Sequence, residues 1–231
     1  MRVLVVARLF SGLADSLSEG VWRPEGVPAI YRLLEGLSAR PDVDLLTVFT
    51  SKDPNDVRFA KARRMHLEPI GDVVILPWVR RPFLALFGLE GKFRELDHLI
   101  RCVWLRFRFK PDISYFTNAN FLIAGLFARL GWGRVVLRFL GLHPEQKRVA
   151  MGNRSLQRWF YQSPFDQVIC SMDGSGGKAY LPRLLKPGTP LEILLNGVDR
   201  RAVEPADVRR LKANSGLGDR PVVAFVGRLE P

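Results

Sequence analysis

The chain has 231 residues, 47% of them hydrophobic, which leaves room for one large domain or two small ones and excludes wholesale disorder. Its 35 Lys and Arg against 23 Asp and Glu give a net charge of +12, recurring along the chain rather than gathered in a tail, so the surface suits anionic partners: nucleic acid, anionic lipid or phosphorylated small molecules. Two cysteines, Cys102 and Cys170, neither in a CxxC pair, argue against a zinc site or disulfide framework and for a reducing, cytoplasmic setting, which extends to the inner face of the membrane.

Val3–Ala7 is a continuous β-type apolar run, as expected of a strand covered on both faces. Arg8 ends it too soon for a secretory signal, and no later run is long enough to span a membrane. Residues 8–26 read as a Gly- and Ser-containing loop. Val27–Ala39 reads as a helix, with Ile30, Leu33, Leu34 and Leu37 at helical spacing. Leu45–Phe49 and Val73–Leu76 are the next strands. Residues 92–109 read as a helix ended by Pro111. Strands then alternate with helices: Asp112–Phe116, helix Phe121–Leu130, Val135–Phe139, helix Leu156–Tyr161, Val168–Cys170, helix Gly176–Leu185, Leu191–Leu195 and helix Ala206–Ala213. The alternation predicts an α/β fold, a Rossmann-like parallel sheet with helices on both faces. The last residues, Pro221–Pro231, read as a new buried strand and turn with nothing after them to pair with. The expectation is the front part of a longer protein.

In such sheets ligands bind beyond the carboxyl ends of the strands, so the loops after strands are where site residues are sought. The first ends in Glu25-Gly26-Val27-Pro28 and runs into a helix; it is either an anion site formed by the free first N–H groups or an ordinary loop-to-helix turn. Asp173-Gly174-Ser175-Gly176-Gly177-Lys178-Ala179 has the look of a phosphate loop but lacks its leading Gly and its closing Ser or Thr, so small residues at a helix start are the better account. His143 follows the strand Val135–Phe139 and precedes Pro144; it is either a ligand contact or a solvated structural residue. Asn196-Gly197 follows Leu191–Leu195 with no return strand behind it, so it is a sharp strand-to-loop turn rather than a hairpin.

Leu194-Leu195-Asn196-Gly197-Val198-Asp199, followed by Ala224-Phe225-Val226-Gly227-Arg228-Leu229, resembles the I-P-N-G-V-D and F-V-G-R-L elements of the family 4 glycosyltransferases of GT-B type. Glu25-Gly26-Val27-Pro28, Pro111–Tyr115 and Phe165–Ser171 are similar to weaker elements of the same family. The resemblance implies two Rossmann-like domains facing a cleft. Residues 1–200 would be the acceptor-side domain, 201–220 the interdomain linker, and 221–231 the first strand of a donor-binding domain. It implies a retaining transfer of sugar from a nucleotide-sugar to an acceptor, here a glycan or a lipid-linked or other anionic molecule. No metal or other cofactor is expected. Gly26 would offer its N–H to the donor diphosphate, and Arg228 would neutralise that diphosphate as it leaves. Asn196 and Gly197 would form the turn at the cleft, and His143 would match a catalytic histidine near the donor sugar. Glu25 departs from the family pattern, standing where a glycine is usual. The truncated chain alone would be inactive.

The stretch Leu99–Lys110 interleaves aromatic residues with Arg and Lys. It is either a peripheral membrane contact or a core-packing helix with a basic edge. A non-catalytic binding module for an anionic glycan, lipid or partner protein is the competing function. A nucleic-acid role rests on charge alone and is not expected, because no reading motif accompanies it.

Overall fold

The strand that organises the molecule is the first. In the computed structural model, which describes residues 1–25, 27–52, 59, 61–78, 83, 87–152, 155–195 and 204–216, the strand β1 (Arg2–Arg8) is buried from Val3 through Ala7. Alternate side chains of a strand point to opposite faces. Accordingly Val3, Val5 and Ala7 enter one apolar core and Leu4 and Val6 enter a second.

After β1 come helices α1 (Ser11–Glu19) and α2 (Pro28–Ser38), strands β2 (Asp44–Thr50), β3 (Arg63–Leu67) and β4 (Gly71–Leu76), and the long helix α3 (Glu90–Phe109). Strand β5 (Ile113–Thr117), a 3-10 turn (Asn118–Asn120), α4 (Phe121–Arg129), β6 (Arg134–Phe139), α5 (Pro144–Ala150), α6 (Leu156–Tyr161), β7 (Gln167–Met172), α7 (Gly177–Leu184) and β8 (Leu191–Leu195) follow. The eight strands form one sheet in the order β3-β4-β2-β1-β5-β6-β7-β8, parallel throughout except for β3 against β4. Leu13, Leu17, Ile30 and Leu34 of α1 and α2 cover one face. Cys102, Leu105, Ile123, Phe127, Leu181 and Leu184 of α3, α4 and α7 cover the other. The expected Rossmann-like sheet with helices on both faces is therefore what the chain forms.

Two expectations need correction. The segment 8–26 is not all loop, because Ser11–Glu19 forms α1. Its apolar residues Leu13, Ala14 and Leu17 lie on one side and are buried, and Gly20 ends it in the left-handed conformation. The second concerns β3, a strand absent from the sequence reading. Its residues Arg63-Arg64-Met65-His66-Leu67 carry no apolar alternation because it is an exposed edge strand. Cross-strand pairs hold it, with Arg64 and His66 reaching Asp72 at 2.6 and 3.1 Å. Pro28 stands at the start of α2, as its fixed φ favours.

The chain divides into two compact units, Met1–Gly197 and Val198–Pro231. In the second, the helix α8 (Pro205–Asn214) is described, and none of its residues is buried. The strand expected at Val222–Val226 lies outside the described residues.

The first strand is fixed at its start by groups remote in sequence. The Arg2 backbone N–H donates to Asp112 Oδ2 at 2.7 Å, its guanidinium donates to the Phe109 carbonyl at 2.9 Å, and the Met1 ammonium donates to the Asp42 carbonyl at 2.7 Å. Leu4 is fully buried beneath these ties. Leu4→Ala is expected to lower the free energy of unfolding by about 3 kcal/mol, read as a shifted midpoint in urea with an unchanged slope.

Candidate functional site

The chain leaves β1 for β2 on one side of the sheet and returns to β5 on the other, so the order reverses between β1 and β5. The carboxyl ends of these strands flank the crevice in which such folds hold ligands.

On the α3 side, that end is polar and basic. Thr50, the last residue of β2, places its hydroxyl 3.3 Å from the Ala7 carbonyl and 3.0 Å from Asn120 Oδ1. The pairing fixes the buried Asn120 and leaves its amide nitrogen without a hydrogen-bond partner. Two residues beyond Thr50, the Lys52 ammonium lies 2.6 and 2.7 Å from the two carboxylate oxygens of Glu95, and Arg94 donates to the same carboxylate at 2.6 Å. The Arg94 guanidinium sits 4.2 Å from the centre of the Trp78 ring, whose Nε1 donates to Glu90 at 3.1 Å. Burial would raise the Glu95 carboxyl, but Lys52 and Arg94 overcome it and hold it below the usual carboxylate range. Burial lowers the Lys52 ammonium against the pull of Glu95, with Arg94 and Arg8 adding to the lowering. Arg8, at the end of β1, is exposed and makes no ion pair among the described residues. Among the described residues, Arg8, Lys52 and Arg94 thus outnumber Glu90 and Glu95 at this end of the sheet.

On the other face, Arg138 near the end of β6 donates to Ser171 Oγ at 3.3 Å, and its Nε has no partner. The Tyr115 hydroxyl, buried on the same face, lies beside Arg138. Burial pushes its phenol up, and Arg138 acts in the opposite direction.

The loops after β6 and β7 are tied together. The Leu142 N–H donates to Ser175 Oγ at 2.8 Å, and Ser175 donates through its N–H and hydroxyl to Asp173 Oδ1 at 3.0 and 2.5 Å. Gly141 adopts a φ of 140°, and a Cβ there would collide with the Asp173 carboxylate. The glycines at the head of α7 serve packing: a Cβ on Gly177 would lie 2.7 Å from Cys170 Sγ. Burial pushes the Cys102 thiol up to about 12 and the Cys170 thiol up to about 11, so neither is a ready nucleophile.

His143 lies beyond the end of β6, at the start of α5, and is exposed. Its N–H donates to Gln146 Oε1 at 3.0 Å, and Gln146 donates to the Tyr161 hydroxyl at 3.1 Å, which secures the turn to the core. No hydrogen bond or ion pair among the described residues joins its ring to the Lys52–Glu95 cluster. Gly26, Asn196, Gly197 and Arg228 lie outside the described residues. The sequence reading missed Arg8, Lys52, Arg94 and Asn120. Two of these had a local signal, since Arg8 and Lys52 are the first cations after apolar strands, whereas Arg94 and Asn120 are brought in only by packing.

A cavity of about 510 Å³ lies elsewhere, lined by Asp44 and Leu45 at the start of β2, Gly71 and Asp72 at the start of β4, and Trp104 and Arg108 of α3. It is at the amino ends of the strands, away from the crevice. Among the described residues no cluster of His, Cys, Asp or Glu is suited to a metal ion.

No family model and no curated protein matches the sequence. Among solved structures, the chain is similar to sucrose-phosphate synthase from Thermosynechococcus elongatus, with a TM-score of 0.57 and 16% identity, covering 100% of this chain and 56% of that one. The fold is of the GT-B type. At this identity the likeness speaks for the fold alone, and the chain spans about half the length of that enzyme. A fragment of the same synthase (TM-score 0.49, 9% identity, 94% of this chain and 97% of the fragment) is more distant. So is UDP-GlcNAc 2-epimerase from Methanocaldococcus jannaschii (0.42, 14%, 79% and 42%). No argument rests on either.

The ring of His98, buried on α3, lies with Nε2 2.9 Å from the Pro77 carbonyl, so Nε2 carries the proton and donates. Burial lowers its pKa from 6.5 to about 4, against the favourable Pro77 bond. Between these values the unfolded chain holds a proton that the folded chain lacks, so acidification from pH 6.5 to 4 destabilises the fold, by up to about 3 kcal/mol. His98→Gln is expected to flatten that part of the stability–pH curve relative to the parent, measured by urea unfolding at half-unit steps. Gly141→Ala is expected to cost about 2 kcal/mol, seen as a lowered thermal midpoint, because it must take a strained φ and displace Asp173.

Proposed function

We propose that this chain is the acceptor-side part of a nucleotide-sugar-dependent glycosyltransferase of the family 4 group, transferring a sugar to a glycan or lipid-linked acceptor that carries negative charge. The observation that carries the reading is the set of basic and polar side chains at the carboxyl ends of β1, β2 and β5 in a GT-B-type domain. There, among the described residues, Arg8 makes no ion pair and Asn120 presents an unused amide donor.

Arg8, with Lys52 and Arg94 behind it, attracts and orients an anionic acceptor. Asn120 supplies a directional hydrogen bond to an acceptor hydroxyl. Arg228 and the Gly26 N–H stabilise the diphosphate as the sugar leaves, a role for fixed charge that requires no metal. Asn196 and Gly197 form the turn at the cleft between residues 1–200 and a donor-binding domain that begins at 221, with 201–220 linking them. His143 lies near the donor sugar. The reaction takes place in the cytoplasm or at the inner membrane face, and the 231-residue chain by itself holds the acceptor without turning over the donor. The alternative, a binding module for an anionic glycan, is favoured by the same crevice if no donor domain accompanies it.

The test begins with the reading frame beyond the codon for Pro231, where the family resemblance implies a lysine soon after Arg228 and then an E-x7-E element that holds the nucleotide-sugar. With the product of the full frame, nucleoside diphosphate should be released from a nucleotide-sugar in an acceptor-dependent way. Arg228→Ala should lower kcat by about 100-fold or more. Arg8→Ala should raise KM for an anionic acceptor about fivefold at low salt and leave kcat near the parent value. Acceptor-independent inertness toward every nucleotide-sugar, with anionic glycan still bound, would leave the binding module as the function.

A further inference from the structure

The helix α3 has two apolar faces, and the core uses one. His98, Cys102 and Leu105 are buried against the sheet. On the far side Phe93, Leu96, Ile100, Trp104 and Phe107 are 40%, 49%, 60%, 55% and 59% exposed. Their spacing of three, four, four and three residues keeps all five within about 80° of the helix circumference. The stripe is about 20 Å long at the rise of an α-helix, and contiguous exposed apolar surface of this kind marks an interaction face.

The edges of the stripe are basic. Arg101 and Arg108 lie along one side and Lys92 and Lys110 along the other, by the same helical spacing. The Arg108 guanidinium lies 4.9 Å from the centre of the Trp104 ring, with its stem along the apolar stripe. Among the described residues, the acidic side chains of the helix offset the charge of Arg101 and leave Lys92, Arg108 and Lys110 as the edge cations. Glu95 is held by Lys52 and Arg94, Glu90 accepts from Trp78, and Asp97 is paired with Arg101 at 2.8 Å. Two more exposed rings, Phe83 and Phe87, precede the helix with centroids 5.2 Å apart.

We propose that the outer face of α3 docks on the surface of an anionic phospholipid bilayer, with the helix lying in the interface. The charge decides the occupant. A second copy of the chain would set basic edges against basic edges, which repel. An anionic bilayer receives the apolar stripe and neutralises both rows of cations, and aromatic rings with flanking Arg and Lys are the side chains that settle at that depth. Among the described residues no helix is long and apolar enough to cross a membrane, so the contact lies on the surface. The inference stands independently of sugar transfer.

Vesicle co-sedimentation of the 231-residue chain tests it, with phosphatidylcholine alone and with phosphatidylcholine containing about a third phosphatidylglycerol. Binding to the anionic vesicles is expected to be at least tenfold tighter than to the neutral ones and to weaken with salt. Ile100→Glu with Trp104→Glu should reduce it at least tenfold, and Lys92→Gln with Arg108→Gln several-fold with a shallower salt dependence. All four positions face solvent, and an unchanged thermal midpoint verifies that the variants fold. Absence of binding to either vesicle overturns the proposal. So does equal binding by the Ile100/Trp104 variant, which would show that dispersed positive charge alone is responsible. A concentration-dependent dimer that the same variant disperses, with no vesicle binding, would assign the face to a second copy instead.

Discussion

Burial of β1 on both faces is the constraint on which the rest of the molecule depends. Five consecutive apolar residues, Val3–Ala7, supply side chains to two separate cores. A strand of this kind is stable only with neighbours on both edges and a helical layer on each face. The parallel pairing with β2 and β5, the placing of α1 and α2 on one face and of α3 and α4 on the other, and the reversal of strand order beside β1 all answer that requirement. The crevice follows from the same constraint. Where the chain departs to opposite sides from adjacent strands, the loops diverge and leave a gap at the carboxyl ends.

That gap is lined by groups whose polarity costs stability when buried, and the fold offsets the cost locally. Glu95 is enclosed by two cations, and Thr50 orients Asn120. Among the described residues the Asn120 amide nitrogen remains without a hydrogen-bond partner, as do Ser51 Oγ and Arg94 Nε, and other such groups lie elsewhere in the fold. Orphaned buried donors are uncommon in folded proteins, and each calls for a partner such as water or a ligand. His143, in contrast, contributes through its backbone to the start of α5 and keeps its ring exposed.

Most of the sheet was legible in the sequence because central strands are apolar runs and the helices between them keep a period of 3.6. What was illegible has physical reasons. The strand β3 pairs through charged side chains at an edge and carries no apolar pattern. Helix α1 is nine residues long, lies in a Gly- and Ser-containing segment, and draws its stability from burying Leu13 and Leu17 rather than from propensity. In the site, Arg8 and Lys52 could be found by asking which cations follow strands, but the attachment of Lys52 to Glu95 joins residues 43 apart. The aromatic and basic stretch Leu99–Lys110 allowed two readings. The helix packs on the core through Cys102 and Leu105, and the same turns expose Ile100, Trp104 and Phe107.

The ties of β1 also set an order of events during synthesis. The Arg2 N–H finds its acceptor on Asp112, 110 residues later, and Val3 to Val6 pair with Ile113 to Phe116. Strand β1, buried from Val3 through Ala7, is therefore made before its second neighbour and must wait for it until 110 further residues have followed. Such non-local pairing slows folding and leaves a sticky segment uncovered in the meantime. A nascent chain of this protein is thus expected to rely on a holdase at β1 until β5 emerges.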